Sequence, residues 1–308
     1  MDTPHVLLTG STGFIGRHVA RALHEAGFRV TALDYRPPLE PLPDGVEFRW
    51  CDLRTDPLPL GDFHAVVHLA ALAGVRPSLN RPLDYLATNV QATVRLLEHC
   101  RKFGIGRFVF ASSSSVYGPD TPLPAEESAT PSPQSPYALT KLQCEQWGAL
   151  YAKLHGLNFT ALRFFSVWGP GQRADLALEA FRRRIEAGEP VTIFGDGTQR
   201  RDLTHVSDVA QAVVMAVQRD GSGAVVLNVG TGRNHSVMDM LEAAKNTVVT
   251  LQFSGSNFTH LTPSVSYNSA HPADVPETLA SIAAVGKELG WRPRIFFPQT
   301  TPDDVKKV

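Results

Sequence analysis

The sequence is short of everything that would send a chain to an oxidising compartment, a bilayer or a polyanion. Three cysteines, Cys51, Cys100 and Cys144, occur in 308 residues. They are odd in number, far apart and in no C-x-x-C spacing, which excludes a disulfide framework and a thiolate zinc site and suits reduced thiols in the cytoplasm. No apolar run approaches the roughly 20 residues that a membrane helix needs. Met1-Asp2-Thr3-Pro4 leads straight into Val6-Leu7-Leu8, without a basic stretch, a long apolar stretch and a cleavage site, so no targeting signal is expected. Neither sign of charge prevails: 29 Lys and Arg against 30 Asp and Glu leave a net charge of -1, and no field is set up for nucleic acid or a membrane surface. No metal site is expected either, since the histidines, His205 and His235 among them, have no ligand spacing. Small-molecule chemistry in the cytoplasm is what remains.

A hydrophobic share of 43% is enough for one large α/β core carrying a smaller lobe. Short apolar runs alternate with longer amphipathic stretches. Val6 to Thr9, Arg29 to Leu33, Ala65 to Leu69, Arg107 to Ala111 and Asn158 to Leu162 read as strands; Phe14 to Ala26, Leu83 to Phe103 and Tyr137 to His155 read as helices. That rhythm predicts an α/β fold with a Rossmann-type, doubly wound parallel sheet, which binds ligands at the carboxyl ends of its strands where the order reverses. After about residue 165 the rhythm loosens into Gly-Pro, Gly-Asp-Gly and Gly-Thr-Gly turns. The expected division is a dinucleotide domain over residues 1–165, with some later segments returning to it, and a smaller C-terminal α/β substrate lobe over 166–308. Asn246 to His271 is polar and shows no clear period.

Gly10-Ser11-Thr12-Gly13-Phe14-Ile15-Gly16 follows a strand and opens a helix, the context that a dinucleotide fingerprint requires. Gly10 permits the tight turn, Gly13 lets the backbone approach a pyrophosphate, and Gly16 lets helix and strand pack closely. Phe14 and Ile15 begin the helix, whose N–H groups and dipole hold negative phosphate. Asp34 ends the next strand about 20 residues on, where its carboxylate accepts bonds from ribose hydroxyls and repels a 2′-phosphate. NAD is therefore expected rather than NADP, although Arg36 is near enough to pair with such a phosphate.

Tyr137 and Lys141 lie one helical turn apart on one face. A phenol is a poor base at neutral pH, and an adjacent cation together with a nicotinamide's charge stabilises the phenolate, so Tyr137 is a credible proton acceptor. The strand Phe108-Val109-Phe110-Ala111 runs into Ser112-Ser113-Ser114-Ser115, placing hydroxyls at the carboxyl end of the sheet. One of these serines can share a substrate proton with Tyr137.

Together these features resemble the extended short-chain dehydrogenase/reductase superfamily, and within it the branch of nucleotide-sugar epimerases and dehydratases. The likeness runs from about residue 5 to residue 295 and includes Cys51-Asp52-Leu53, His68-Leu69-Ala70-Ala71, Asn89, Arg163 to Pro170, Gly195-Asp196-Gly197, Arg201-Asp202 and Asn228 to Gly232 in order. The resemblance implies that Asp52 and Leu53 contact adenine and that Leu69, Ala70 and Ala71 line the NAD ribose, with Asn89 close to the cofactor. By the same resemblance Ser113 is the catalytic hydroxyl, Tyr137 the base, and Lys141 the residue that holds the nicotinamide ribose and tunes Tyr137. Hydride passes from C4 of a sugar to NAD, the 4-keto sugar turns about its diphosphate, and hydride returns to the other face.

Dehydratases of this branch resemble one another in an Asp-Glu pair after the catalytic hydroxyl, because loss of water needs its own acid and base. Here Ser114 and Ser115 stand there instead, and the glutamate typical of the decarboxylases is likewise absent at Ser115. A 4-epimerase is the best reading. Ser166 and the Arg173-x-Asp175 element resemble the uronate epimerases, so Ser114, Ser115, Ser166 and Arg173 are expected to cradle a sugar carboxylate through charge-assisted bonds, and UDP-glucuronate is the preferred substrate. A neutral UDP-hexose remains the alternative. Arg201 resembles the family's diphosphate-binding arginine, whereas His271-Pro272-Ala273-Asp274 replaces an expected Arg-x-Gly-Asp and lacks the second arginine. A redox-sensing relative without catalysis would lose Ser113, Tyr137 and Lys141, which are intact. The resemblance also implies a homodimer through the helices Leu83 to Phe103 and Tyr137 to His155.

Overall fold

A computed structural model describes residues 3–253, 263–269 and 274–298. In chain order it contains β1 (His5–Thr9), α1 (Phe14–Glu25), β2 (Arg29–Asp34), β3 (Val46–Trp50), β4 (Ala65–His68), α2 (Val75–Asn80), α3 (Pro82–Tyr85), a π-helical turn (Leu86–Gln91), α4 (Ala92–Phe103) and β5 (Arg107–Ser113). There follow a short 3-10 turn (Ser114–Val116), α5 (Pro136–His155), β6 (Asn158–Phe164), β7 (Ser166–Trp168), α6 (Ala177–Glu186), β8 (Val191–Phe194), β9 (Arg200–His205) and α7 (Val206–Gln218). β10 (Ala224–Val229), β11 (Asn234–Ser236), α8 (Val237–Phe253), β12 (Val265–Asn268) and α9 (Ala283–Leu289) complete it.

Seven strands form one sheet in the order β10-β6-β5-β4-β1-β2-β3, and every neighbouring pair is parallel. Strand sequence reverses between β1 and β4, so the crevice above their carboxyl ends lies between the glycine turn and the loop after His68. β1, β4 and β5 are buried almost throughout because both sheet faces are covered, as all-parallel sheets demand. α1 and α7 cover one face, joining Val19, Leu23, Val209 and Val213 to Val6, Leu8 and Val67. α4 and α5 cover the other, where Leu96, Leu97 and Cys144 meet Leu7, Phe108 and Phe159. A third core gathers Trp168, Phe181, Ile193, Leu203 and Leu241 from α6, α8 and the short strands beside them.

The doubly wound parallel sheet read from the sequence is thus present, with β10 as the late strand that rejoins it. The continuous helix expected over Leu83 to Phe103 is instead α3, a π-turn and α4; one extra residue in the turn carries Asn89 inward to 2% exposure. β3 adds an edge strand to those anticipated. In the aperiodic stretch from Asn246 to His271, α8 extends to Phe253 and β12 spans Val265–Asn268. Residues 254–262 and 270–273 lie outside the described ones. Among the described residues no helix is long and apolar enough to cross a membrane, and no group of His, Cys, Asp and Glu is arranged to hold a metal ion. The three cysteines are buried and unpaired.

Candidate active site

At the carboxyl end of β1 the chain turns through Gly10 at φ +71°, where a Cβ would lie 2.6 Å from the Ala70 amide nitrogen. A Cβ on Gly16 would come 1.9 Å from the Gly10 carbonyl oxygen, and one on Gly13 3.3 Å from the same atom. Glycine is thus demanded at the first and third positions by contact with backbone, which cannot yield. Gly13 caps α1 without a side chain, so the amides that open the helix at Phe14 and Ile15 face the crevice uncapped, as an anion site requires. Asp34 ends β2 beside this turn. Its Oδ2 accepts from the Thr12 amide at 3.1 Å and its Oδ1 from the Arg36 amide at 3.2 Å. The Arg36 guanidinium rests over the Tyr35 ring, 4.9 Å from its centroid.

Leu69, Ala70 and Ala71 leave β4 against the same turn; the amides of Leu69 and Ala70 donate to the Thr9 carbonyl and hydroxyl at 3.2 and 3.3 Å. Below them, buried His68 is bridged by Thr9 at 2.7 Å and Thr93 at 3.0 Å, and burial lowers its pKa to about 3, which leaves it neutral. Asp52 is clasped by Arg54 at 2.6 and 3.0 Å, which holds its carboxyl below the usual range, and Leu53 is buried beside it. Asn89 spends its amide on Leu72, accepting at 2.8 Å and donating at 3.1 Å, and on the Thr140 hydroxyl at 3.0 Å. It holds the loop after β4 against α5. A glycine turn, an uncapped helix start and a strand-end carboxylate in one crevice fit a dinucleotide with a free adenosine ribose.

β5 ends in Ser112 and Ser113, and α5 lies across it. Ser135 caps α5 by accepting from the Ala138 amide at 3.2 Å, so the helix begins immediately before Tyr137. The Tyr137 phenol interacts with the side chain of Ser113, whose Oγ donates to the Ser115 Oγ at 3.1 Å and accepts from the Ser115 amide at 3.1 Å. Burial raises the Tyr137 pKa, while Ser113 and the positive charge of Arg173 pull it back. Lys141 is 3% exposed, donates to the Ala111 carbonyl at 2.7 Å and has a pKa lowered by burial to about 8. Its ammonium is 5.9 Å from the centroid of the Tyr137 ring. Arg173 also acts on the phenol, which the spacing of Tyr137 and Lys141 does not reveal.

Next to Ser113 opens a cavity of about 170 Å³ whose wall includes Ser114, Ser115, Ser166, Arg201 and Asp274. Arg173 is not in that wall. It makes a bidentate pair with Asp175 at 2.5 and 2.9 Å and lies beside Gly74, 3.6 Å from the position of a Cβ there. Arg201 is placed by its neighbour: the buried Asp202 carboxylate accepts from the amides of Thr231, Gly232 and Ala280 at 2.7, 2.9 and 3.1 Å, tying β9 to two loops. His271 lies outside the described residues. His205 packs on Trp168 with ring centroids 4.8 Å apart, and His235 on Phe297 at 5.1 Å.

One group at the site escaped sequence reasoning. Glu145, two turns along α5 from Tyr137, accepts from Ser112 at 2.5 Å and from Arg163 at 2.8 and 2.9 Å, all three residues being buried. Burial works against the Arg163 charge, but Glu145 keeps its pKa raised. The pair fastens α5, β5 and β6 together directly beneath Ser113. In sequence Glu145 reads as an acid on a solvated helix face; its signal was the arginine at the end of a strand otherwise built for burial.

A profile of the NAD dependent epimerase/dehydratase family matches residues 6–230. The chain belongs to that family. It is 36% identical over 232 residues to the UDP-glucuronate 4-epimerase of Thermodesulfobacterium geofontis, a match covering 75% of this chain and 68% of that one. Among solved structures, MoeE5 in complex with UDP-glucuronic acid and NAD superposes with a TM-score of 0.85 at 39% identity, over 98% of this chain and 97% of that one. UDP-glucose 4-epimerase of Thermotoga maritima superposes at 0.87 with 28% identity, over 98% of both chains. The isomerase class and the dependence on NAD expected from this NAD dependent epimerase/dehydratase sequence both hold at that level.

Proposed function

We propose that this chain is a 4-epimerase of UDP-sugars and that UDP-glucuronate is its substrate. The observation that carries the reading is that Ser113, which interacts with the Tyr137 phenol, immediately precedes the serines of a cavity walled by the hydroxyls of Ser114, Ser115 and Ser166. NAD, held by Gly10, Gly13, Phe14, Ile15, Gly16, Asp34 and the loop of Leu69 to Ala71, supplies the hydride acceptor and donor. Tyr137 takes the C4 hydroxyl proton, Ser113 keeps that hydroxyl hydrogen-bonded during transfer, and Lys141 holds the nicotinamide ribose. Ser114 and Ser115 stand where dehydration would need an acid and a base of its own, and neither hydroxyl is a general base near neutral pH. Residues 166–308 contribute most of the sugar-nucleotide lobe, and the free buried thiols agree with a cytoplasmic location.

The test is to incubate the purified protein, without added cofactor, with UDP-glucuronate, UDP-glucose or UDP-N-acetylglucosamine and resolve the products by NMR. UDP-galacturonate from UDP-glucuronate is the expected product. Arg173→Met is expected to lower kcat/KM for UDP-glucuronate by about 10-fold or more, the worth of one charge-assisted hydrogen bond, and to lower that for UDP-glucose less, when both are compared on the alkaline plateau of the rate profile. A second reading, turnover of a neutral UDP-hexose, is favoured by one observation: Arg173 is paired with Asp175 and outside the cavity wall. Conversion of the neutral sugars alone would select it.

The assembly we infer is a homodimer. Leu139, Trp147, Leu150 and Leu154 stand exposed within one quarter of the circumference of α5, and Leu83 and Leu86, 78% and 46% exposed, continue the strip on the adjoining helical segment. An apolar strip of this length on two neighbouring helices suits a second copy related by a two-fold axis. Sedimentation of the wild type as a dimer, and of Leu150→Asp as a monomer, is the expected result; a monomeric wild type at micromolar concentration rejects it.

A further inference from the structure

Between Tyr137 and the loop after β4 lies a second buried phenol. Tyr85 ends α3 and is 2% exposed. Its hydroxyl donates to the Ala73 carbonyl at 2.9 Å and to the Gly74 carbonyl at 3.1 Å. Its ring stands edge-on to the Tyr137 ring, with centroids 6.3 Å apart and planes at 83°. Four residues on, inside the π-turn, Asn89 holds both backbone groups of Leu72. One helical stretch thus fixes three consecutive residues, Leu72, Ala73 and Gly74, and Val75 follows them in the cavity wall. The turn at Gly74 is sharp, with a φ of +106° that favours glycine, and the Arg173 guanidinium lies 3.6 Å from the place of a Cβ there.

A phenol that takes a proton must hold its oxygen within hydrogen-bond reach of the sugar hydroxyl, and a small error of placement lowers the rate. α5 fixes the backbone of Tyr137 but leaves its ring two rotatable bonds. An aromatic partner packed edge-on restricts them, because such pairs prefer one relative orientation. A second phenol this close would also compete for the substrate hydroxyl if its oxygen were free. Here it is committed: the Tyr85 proton is shared between two backbone carbonyls, and burial raises its pKa, so the group stays a donor. We propose that Tyr85 is a positioning residue, whose ring sets the direction of Tyr137 and whose hydroxyl fixes the turn of Ala73 and Gly74 that leads into the sugar cavity at Val75. The inference rests on the UDP-sugar reading, in which Tyr137 is the base.

The test compares Tyr85→Phe and Tyr85→Leu in the wild-type and Tyr137→Phe backgrounds, with whichever of the three UDP-sugars the wild type turns over. Product NMR gives kcat, and calorimetric titration of the NAD-loaded enzyme with the same sugar gives its affinity. Tyr85→Phe keeps the ring and loses the tether, so binding should weaken by about fivefold, the worth of one neutral hydrogen bond, while kcat falls by no more than about threefold. Tyr85→Leu loses the ring as well, and kcat should fall by about another fivefold, on the scale of an aromatic pair. In the Tyr137→Phe background that further fall should vanish, because no base oxygen is left to aim, while the effect on binding persists. A fall of equal size in both backgrounds marks a general loss of structure and overturns the proposal. Equal kcat values for Tyr85→Phe and Tyr85→Leu overturn it too. Sugar binding within about twofold of wild type in Tyr85→Phe does the same, and decides the matter even if Tyr85→Leu does not fold. Failure of the UDP-sugar reading looks different: the wild type turns over none of the sugars, or Tyr137→Phe keeps the wild-type rate, and either result rejects the base role and this inference with it.

Discussion

Tyr137→Phe is expected to lower kcat by about 10³-fold, within the range that a positioned general base contributes, while binding of NAD and of UDP-glucuronate stays within about threefold of wild type. The ring remains, so its edge-on contact with Tyr85, with centroids 6.3 Å apart, is kept. What is lost is the oxygen proposed above to accept the C4 proton, together with its interaction with Ser113. Stopped-flow and product NMR with the purified variant check this; retention of more than a tenth of the wild-type rate would remove Tyr137 from the base role. The pH dependence has a definite sign. Activity needs the phenolate, burial raises the phenol's pKa and Arg173 lowers it. Removing the Arg173 charge therefore raises that pKa, and the acid limb of the kcat profile moves to higher pH in Arg173→Met and stays near wild type in Arg173→Lys.

The second large effect is expected from Arg163→Met. Glu145 would keep its bond from Ser112 but lose both guanidinium bonds in a place that water does not reach, and stranding one member of a buried pair costs about 3–5 kcal/mol. For a chain of this size that is a fall in Tm on the order of 10 °C. Glu145→Leu combined with Arg163→Met should recover part of the loss, because two apolar side chains replace two charges. The readout that separates positioning from bulk stability is kcat at a temperature where the variant is fully folded. Ser112 adjoins Ser113, so kcat should fall while KM for the UDP-sugar holds. A Tm within about 2 °C of wild type would show that the pair carries little of the fold.

Legibility followed the range of each interaction. Gly16 was readable because a Cβ there meets the Gly10 carbonyl within the same strand-turn-helix unit, Gly10 because the turn holds it at φ +71°, and Asp34 because it ends the strand paired in register with β1. Tyr137 and Lys141 were readable as a helical pair. Their surroundings were not: Lys141 is committed to the Ala111 carbonyl, and Arg173, 36 residues beyond Tyr137, helps to lower the pKa of the phenol. Asn89 matched a motif, but its inward direction depends on a π-turn that no period announces. Arg76 and Asp274 are nearly 200 residues apart in the chain, and only the packing of α2 against the second lobe joins them.

By itself the sequence determined the alternation of strand and helix, the glycine turn, the carboxylate at the end of β2, and the serine, tyrosine and lysine brought to one end of the sheet, because each is written in local spacing or in the periodicity of burial. Tertiary structure alone decided which charges meet: Glu145 with Arg163, and Arg76 with Asp274. Coulombic and hydrogen-bonding partners are chosen by distance through space, and a parallel sheet with long crossovers places in contact residues that spacing along the chain keeps far apart.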